Sequence, residues 1–312
     1  MKRVSMPPEL RDLAAHLSSI AQVAVETDKP LGPCTSYRIG GPTAVWAAPR
    51  SEEGVRRVLA AVHAAGVPLF ILGRGSNLLV SDRGWQGVTL YLGENFSGWE
   101  FHEDEAAVRA GTLWMDLIRD AVERGMGGME LMAGIPGGIG GALRMNAGAF
   151  GREIEALTVE VAGCLPDGSP LTVQRHDVDF GYRCAPQLDR VVITSARFRF
   201  QPQNPQALTT RMNEILALRA QKQPLEFPSC GSVFKRPPGY YAGALIEAAG
   251  LKGERIGGAE VSRRHAGFIL NVAGATATDV HRLIRCIEQR VFERFGVRLE
   301  REVRLVGDFD EC

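Results

Sequence analysis

The segment AGIPGGIGGALRMNAG, residues 133–148, constrains the fold of this chain most strongly, because six of its sixteen positions are glycine. Glycine loses more conformational entropy on folding than any other residue, so a run of this density is costly to order. The segment has no acidic residue, and Arg144 is its only charge. Bare backbone N–H groups can approach a ligand closely, and the usual ligand is a phosphate. The segment therefore predicts a phosphate-binding loop.

A second glycine-rich turn, LGRGSN, occupies residues 72–77. It does not match a Rossmann phosphate loop, because Leu78 stands at the third glycine position and a strand pattern, LLVSD, follows where a helix is required. The sequence also lacks the GxxxxGK(S/T) pattern of a P-loop. Either turn alone is equally well explained as an ordinary tight turn. Two turns of this density favour the pyrophosphate of a dinucleotide, held by backbone amides.

The charge balance and the cysteine pattern exclude several classes of protein. Lys plus Arg equals Asp plus Glu, at 36 each, which gives no support to nucleic acid or an anionic membrane as partner. The N-terminus has no signal-peptide core, and no apolar run reaches the roughly 18 residues of a membrane span. The six histidines are isolated, and the six cysteines show no ligand spacing. We expect a cytoplasmic protein with reduced thiols, no bound metal and no membrane insertion.

The order of predicted elements indicates the α+β class, because helices and strands are mixed without regular alternation. A chain of 312 residues exceeds the size of a single core, so two or three domains are expected. The patterns predict a helix followed by a connector within 1–30, a strand pair within 35–49 and a capped helix over 51–66. They also predict a linker at 201–208 and a terminal strand over 297–307.

Six motifs together resemble the UDP-N-acetylenolpyruvoylglucosamine reductase family, flavoenzymes of peptidoglycan precursor synthesis. In chain order they are TSYRIGGP (35–42), LGRGSNLLVSD (72–82), AGIPGGIGGALRMNAGAFG (133–151), FGYR (180–183), CGSVFKRP (230–237) and LEREVRLVG (299–307). AGLKG followed by HAGFILN adds to the likeness. The resemblance covers residues 31 to 307 and is to the shorter form of the family, which lacks a substrate-closing insertion.

The resemblance implies a two-part FAD-binding domain of the vanillyl-alcohol-oxidase (PCMH) type and a C-terminal α/β substrate-binding domain. The implied division is an N-terminal helical extension (1–30), FAD subdomain 1 (31–91, completed by a strand in 299–312), FAD subdomain 2 (92–203) and the substrate domain (204–298). The implied FAD-binding residues are Tyr37, Gly73, Arg74, Gly75, Ser76, Asn77, Leu78, Gly134, Ile135, Pro136, Gly137, Gly138, Gly140, Gly141, Asn146, Ala147 and Gly148.

The implied reaction reduces the enolpyruvyl ether of UDP-N-acetylglucosamine to a lactyl ether, with NADPH as co-substrate and hydride passed through FAD to the vinyl carbon. Negative charge then develops on the adjacent carbon and its carboxylate, which must be stabilised and protonated. By the same likeness Arg183 grips the carboxylate with two parallel donors. From the residues alone, a surface arginine paired with Asp177 or Asp179 is the preferred interpretation.

Ser232 is the implied proton donor, and Glu302 in protonated form is the implied hydrogen-bond partner of the developing carboxylate charge. From the residues alone, a turn serine that bonds its own backbone is the preferred interpretation of Ser232, and only the match to the family's GSxF pattern favours the proton donor. Alternation over the terminal strand places Val303 and Leu305 on one face and Glu300 and Glu302 on the other, which is also typical of a solvated face.

Further side chains are implied contacts of the UDP-sugar: Tyr182, Lys222, Lys235, Arg236, Arg264 and His265. Arg264 and His265 are equally well explained as ordinary surface charge. Two other functions remain open: an FAD-dependent sugar or lactone oxidoreductase on the same scaffold, and a flavin- or nucleotide-binding protein without turnover. The joint presence of Arg183, Ser232 and Glu302 favours the reductase, which we expect to be a monomer.

Overall fold

The computed structural model describes residues 6–309, and within them helices and strands are mixed along the chain, which confirms the α+β class. The helices are α1 Pro8–Ser18, α2 Glu52–Ala65, α3 Trp114–Glu123, α4 Ile139–Arg144, α5 Pro205–Lys222, α6 Ala242–Ala248 and α7 Ala277–Phe295. The strands are β1 Val23–Pro30, β2 Pro42–Pro49, β3 Leu69–Leu72, β4 Leu78–Val80, β5 Trp85–Tyr91, β6 Trp99–His102, β7 Glu105–Arg109, β8 Met126–Gly127, β9 Gly148–Ala149, β10 Arg152–Glu153, β11 Thr158–Cys164, β12 Pro170–Gln174, β13 Val192–Arg199, β14 Gln201–Pro202, β15 Arg255–Ile256, β16 Ala259–Val261, β17 Ile269–Asn271 and β18 Arg304–Val306.

The described chain divides into two compact units. The first takes its residues from 6–29, 44–74 and 87–218, and the second from 30–43, 75–86 and 219–309. The division falls inside α5, between Leu218 and Arg219. No helix in residues 6–309 is long and apolar enough to cross a membrane.

The first unit begins with a four-stranded sheet in the order β1-β2-β5-β3, whose core is shared with α1 and α2. The prediction of α2 is confirmed, because the Ser51 hydroxyl accepts from the Gly54 N–H at 3.2 Å and Gly66 ends the helix at φ 62°. Buried Val55, Val58, Leu59 and Val62 form the helix face towards the core, at the i, i+3, i+4, i+7 spacing.

The larger part of the first unit is a five-stranded antiparallel sheet in the order β12-β11-β13-β7-β6. Its core includes the buried faces of α3 and α4 and two residues of α5, Leu208 and Ile215. The Trp114 indole is buried in this core and donates to the Met132 carbonyl at 3.2 Å. The chain between α3 and α4 is therefore tied to the core just before the glycine segment.

The second unit packs α6 and α7 with the three-stranded sheet β15-β16-β17 and the parallel pair β4–β18. Thr276 caps α7 in a reciprocal capping box with Asp279. The Asp82 carboxylate also accepts from the N–H groups of Ala277 and Thr278, at 2.8 and 2.9 Å. The turn after β4 thus fixes the beginning of the longest helix of this unit.

Three sequence-based predictions of strands and connectors were wrong in part. The connector after α1 is a strand, β1. Residues 35–41 form no strand beside β2, because the Thr35 hydroxyl donates to the carbonyls of Gly32 and Ile39, both at 3.0 Å, and holds a local turn. The terminal strand starts only at Arg304, since residues 300–302 bond instead to the segment 233–235.

The glycine segment and the predicted linker also differ from expectation. Residues 139–144, interpreted as loop, form α4. The linker at 201–208 is regular structure, because β14 pairs with β8 and the Asn204 side chain accepts from the N–H groups of Gln206 and Ala207 at the start of α5.

Candidate active site

The glycine segment of the first unit is packed along residues 110–114. The Gly140 and Ile139 amides donate to the carbonyls of Ala110 and Thr112, at 2.9 and 3.1 Å. A β-carbon at Gly138 would lie 3.1 Å from the Ala110 oxygen, and one at Gly140 would lie 3.0 Å from the Ala110 Cβ. Part of the demand for glycine is therefore intramolecular, whereas the sequence interpretation assigned it to a ligand alone.

Other groups of the same segment fit an anion. Within the described chain, the Gly137 and Gly138 N–H groups donate to no protein acceptor. A β-carbon at Gly141 would meet no protein atom within 4 Å. The remaining predicted cofactor residues of the segment, Gly134, Ile135, Pro136 and Ala147, flank these positions. Bare amides beside small residues are the arrangement that a pyrophosphate requires.

The turn at 73–77 belongs partly to each unit. In the first unit, the Arg74 guanidinium donates to the Gly111 carbonyl at 3.0 Å, to Glu94 at 3.0 Å and to the Ser97 hydroxyl at 3.2 Å. Every nitrogen of this guanidinium therefore has a protein acceptor. Arg74 fastens the turn that begins at Gly73, and this network does not leave its charge free for a ligand.

In the second unit, Gly75 adopts φ 62°, and a β-carbon there would lie 2.1 Å from the Cys34 oxygen. Only glycine fits this position. The Asn77 side chain donates to the Glu302 carbonyl at 2.9 Å, and no described protein group accepts from the Ser76 or Asn77 N–H. These two amides, just before Leu78 opens β4, form a second set of donors that fits an anion.

Arg183 lies in the first unit, in a four-residue turn closed by the Gly181 N–H and the Cys184 carbonyl at 2.9 Å. Its φ is 56°, and its guanidinium donates to the Gly148 carbonyl at 3.3 Å. The guanidinium carbon also lies 5.0 Å from the ring centroid of Tyr182, which is 43% exposed. A left-handed backbone at a non-glycine residue is strained and is often found at functional sites. The structure thus brings together Arg183, Tyr182 and Gly148.

Asn146 supports the turn that contains Arg183 through hydrogen bonds of its side chain. It is fully buried, has φ 38°, and donates from Nδ2 to the Gly181 carbonyl at 3.1 Å and to Glu153 at 2.9 Å. Its Oδ1 accepts from the Glu155 N–H at 3.4 Å. The amide is therefore committed to protein partners, and Asn146 fixes the distance between the glycine segment and the Arg183 turn.

The segments that carry Ser232 and Glu302 are hydrogen-bonded to each other in the second unit. Ser232 lies opposite Phe268 in an isolated antiparallel bridge, and the Glu302 N–H donates to the carbonyl of Val233 at 2.8 Å. In the described chain the Ser232 hydroxyl has no protein hydrogen-bond partner, unlike a turn serine that bonds its own backbone. Glu302 is half-buried, whereas Glu300 is exposed, so Glu302 does not lie on a solvated face.

Tyr37 and Cys230 are two buried, uncharged side chains next to the Ser232 loop. The Tyr37 side chain is completely buried, and no nitrogen or oxygen of the described residues accepts from its hydroxyl. Burial, with the Cys230 thiol beside it, raises the pKa of Tyr37. Burial also raises the pKa of the Cys230 thiol to about 12. Tyr37 is thus a core residue under the Ser232 loop. The sequence analysis missed Cys230, although it directly precedes the Gly-Ser motif.

The predicted substrate cations of the second unit have different surroundings. Arg264 donates to the Gln223 carbonyl at 2.8 Å and to Glu226, beside the last residue of α5, Lys222. The Arg264 guanidinium therefore fixes the end of that helix, which is the favoured place for a cation.

Lys235 pairs with Glu300, and the Arg236 guanidinium carbon lies 5.8 Å from the Tyr241 ring centroid. His265 Nδ1 accepts from the Gly267 N–H at 3.1 Å, and burial lowers the pKa of this imidazole. In its neutral form, therefore, the ring proton is on Nε2, and the imidazole holds the chain that lies opposite Ser232.

Comparison with known proteins gives two matching family models. Residues 223–306 match the model described as UDP-N-acetylenolpyruvoylglucosamine reductase, C-terminal domain, and residues 43–174 match the model described as FAD binding domain. The chain is 42% identical to the UDP-N-acetylenolpyruvoylglucosamine reductase of Pediococcus pentosaceus, over 92% of this chain and 96% of the relative. It is 40% identical to that of Lactiplantibacillus plantarum, over 94% of this chain and 97% of the relative.

The crystal structure of UDP-N-acetylenolpyruvylglucosamine reductase from Thermus caldophilus is similar to this fold. Its TM-score is 0.77 at 33% identity, and the match covers 91% of this chain and 99% of the Thermus chain. The prediction of the fold class is confirmed by this likeness.

The surroundings of two thiols predict different reactivity. Cys184 is exposed beside Arg183, whereas Cys230 is buried and its pKa is raised to about 12. Because the thiolate is the nucleophile, we expect an alkylating reagent at mildly alkaline pH to modify Cys184 in the native protein and to spare Cys230. Peptide mass spectrometry before and after unfolding measures this difference. Equal native rates at the two thiols would show that the Ser232 loop opens readily.

Proposed function

The chain belongs to the UDP-N-acetylenolpyruvoylglucosamine reductase family, and from this premise we propose that it reduces UDP-N-acetylglucosamine enolpyruvyl ether to UDP-N-acetylmuramate. It is an FAD-containing oxidoreductase with NADPH as reductant. When bound, FAD supplies the hydride chemistry between NADPH and the vinyl carbon. The observation that carries the proposal is the 2.8 Å bond from the Glu302 amide to the carbonyl of Val233, the residue that follows Ser232. Neither a sugar or lactone oxidoreductase nor a non-catalytic binding protein needs this pair.

The residues that would hold FAD are the bare amides described above. Gly137 and Gly138 supply donors in the first unit, and Ser76 and Asn77 supply them in the second. Their fit to a pyrophosphate rests on N–H groups that no described protein acceptor uses. We assign Tyr37, Arg74 and Asn146 to the support of these segments, because their polar groups are buried or face protein partners.

Ser232 gives its hydroxyl proton to the carbon next to the carboxylate. The absence of a protein partner for Oγ within residues 6–309 leaves the hydroxyl able to turn towards a substrate. Glu302, in its protonated form, donates a hydrogen bond to the carboxylate as its negative charge grows. Glu302 is half-buried and is less exposed to solvent than Glu300.

Arg183 binds the substrate carboxylate and stabilises the same charge. Its strained turn holds the guanidinium against the Gly148 carbonyl and the Tyr182 ring. A guanidinium stays charged and grips a carboxylate with two parallel donors. For the diphosphate we propose Lys222, Lys235 and Arg236, with Arg264 and His265 in support of the chain around them.

Organisation, location and assembly are also proposals. The parallel pairing of β18 with β4 supports the assignment of the C-terminal strand to FAD subdomain 1 (31–91 with 299–312). FAD subdomain 2 (92–203), the substrate domain (204–298) and the N-terminal extension (1–30) are kept as assigned from the sequence. The scattered cysteines, which show no disulfide framework, support the proposal of a cytoplasmic location. The monomeric state is kept as assigned from the sequence.

An anaerobic titration tests the function directly. NADPH is added to the purified holoenzyme until the flavin absorbance is bleached, and the enolpyruvyl substrate is then added without oxygen. We expect the colour to return, because electrons pass to the substrate. If the flavin stays reduced until air is admitted, the protein is a flavoenzyme with another substrate. A protein without flavin would contradict the cofactor assignment.

Ser232→Ala should separate the two half-reactions. We expect flavin reduction by NADPH to stay close to wild type and reoxidation by the enolpyruvyl substrate to slow by about a hundredfold or more, because the proton donor is lost. Stopped-flow absorbance measures both rates. Ser169→Ala, at an exposed turn serine, is the control and should change neither. Equal loss in both half-reactions would remove the proton-donor role.

Arg183→Lys should also fail in reoxidation. The lysine keeps the charge but cannot reproduce a two-donor grip, so we expect a loss of about a hundredfold in reoxidation. The matched control is Arg199→Lys, since Arg199 also donates to a carboxylate, Glu105, but lies on the five-stranded sheet. Near-normal turnover of Arg183→Lys would contradict the proposed carboxylate binding and indicate that Arg183 has only a structural role.

A further inference from the structure

The segment that carries Glu302 is held by a very short ladder in the second unit. The Lys235 N–H donates to the Glu300 carbonyl at 2.8 Å, and the Glu302 N–H donates to the Val233 carbonyl at 2.8 Å. Phe234 lies opposite Arg301 as an isolated antiparallel bridge, and β18 begins only at Arg304. Glu302 is therefore outside any regular strand.

The side chain between these two bonds, Arg301, is fastened to α7. Its Nε and Nη2 donate to Oε1 and Oε2 of Glu288 at 2.5 and 2.8 Å. Both side chains are largely covered, with 25% of Arg301 and 22% of Glu288 exposed. The hydrogen bonds to Glu288 raise the pKa of the Arg301 guanidinium. This is the parallel two-donor fork, which fixes orientation as well as distance.

The fork determines which face of the segment each side chain takes. Successive side chains of an extended chain point to opposite faces, and a slip of one residue exchanges the faces. Arg301 is held on α7 and Val303 is buried, and the half-buried Glu302 lies between them, so the fork limits the directions that the Glu302 side chain can take. The backbone bonds fix which residue of the segment 233–235 lies opposite Glu302. The fork restricts the direction of the Glu302 side chain.

We propose that the Arg301–Glu288 ion pair positions Glu302 for the reaction, and that Arg301 and Glu288 act through Glu302 without touching the substrate. The inference rests on the role proposed for Glu302 above. It assigns to Arg301 and Glu288 an effect on the protonation step and none on flavin reduction. A pair that only stabilised the fold would affect both half-reactions alike.

Three variants test the pair in the full-length holoenzyme: Glu288→Gln, Arg301→Met and Arg301→Lys. Stopped-flow absorbance follows flavin reduction by NADPH and anaerobic reoxidation by the enolpyruvyl substrate. We expect reduction to stay within about twofold of wild type and reoxidation to slow by about ten- to a hundredfold, because a small misplacement of a reacting group has effects of this size. Arg301→Lys, which keeps the charge without the fork, should fall between wild type and Arg301→Met.

Glu105→Gln is the matched control for Glu288→Gln. Glu105 is an equally covered carboxylate, 18% exposed, bound by Arg197 and Arg199 on the five-stranded sheet of the first unit. Its loss removes a comparable ion pair and should lower thermal stability without changing the ratio of the two half-reaction rates. A changed ratio in this control would mean that loss of any such pair disturbs turnover, and the inference would be overturned.

A double-mutant comparison with Glu302→Gln separates the inference from the function on which it rests. In the Glu302→Gln background, Arg301→Met should slow reoxidation no further, because its effect passes through Glu302. Normal reoxidation in Glu302→Gln alone would contradict both the proposed role of Glu302 and the inference that Arg301 and Glu288 position it. Slow reoxidation in Glu302→Gln with a normal rate in Arg301→Met would overturn the positioning alone. If Arg301→Met does not fold, Glu288→Gln and Arg301→Lys decide in the same way, since both nearly keep the original shape.

Discussion

The hydrogen bond from the Glu302 amide to the Val233 carbonyl is the contact on which the position of the Glu302 segment in the second unit depends. It joins two segments far apart in sequence, so it forms only when the intervening chain is already placed. α7 makes that placement possible, because the Asp82 carboxylate fixes its beginning and Gly296 ends it in a left-handed turn. The segment after α7 then returns to Val233, which brings Glu302 to the segment that contains Ser232. Without the cap and the turn, no local preference of the residues around Glu302 would bring it there.

The first unit uses the same few residues for packing and for ligand approach. Gly138 and Gly140 lie so close to Ala110 that a β-carbon at either position would be crowded by the protein itself, at 3.1 and 3.0 Å. The same close packing leaves the Gly137 and Gly138 amides without a protein acceptor in the described chain. Such amides are costly unless water or a ligand bonds to them. The high glycine content therefore follows from two requirements together, and a ligand alone does not account for it.

Local rules predicted α2 well and the site poorly. α2 was predicted because caps and apolar spacing act within a few residues. Ser232 and Glu302 have no such signal, since their proximity is set by a long-range bond, and only the resemblance of motifs pointed to them. Periodicity placed Leu305 on the buried face, but Val306 is the buried residue, because the backbone changes partner from Val233 to β4 just before it.

The ionisable groups of the second unit differ in charge with their depth in the protein. Tyr37 and Cys230, beneath the Ser232 loop, have raised pKa values and stay neutral, because burial disfavours their ionised forms. The Arg301–Glu288 pair lies nearer the surface, where two opposite charges can be held together at a smaller desolvation cost. Because Tyr37 and Cys230 are neutral, the electrostatic field at Ser232 is set by other groups, whose direction is fixed. In the proposed mechanism Glu302 is one of these groups, and the Arg301–Glu288 fork proposed to orient it is charge-balanced, so it would add no net charge beside the growing anion.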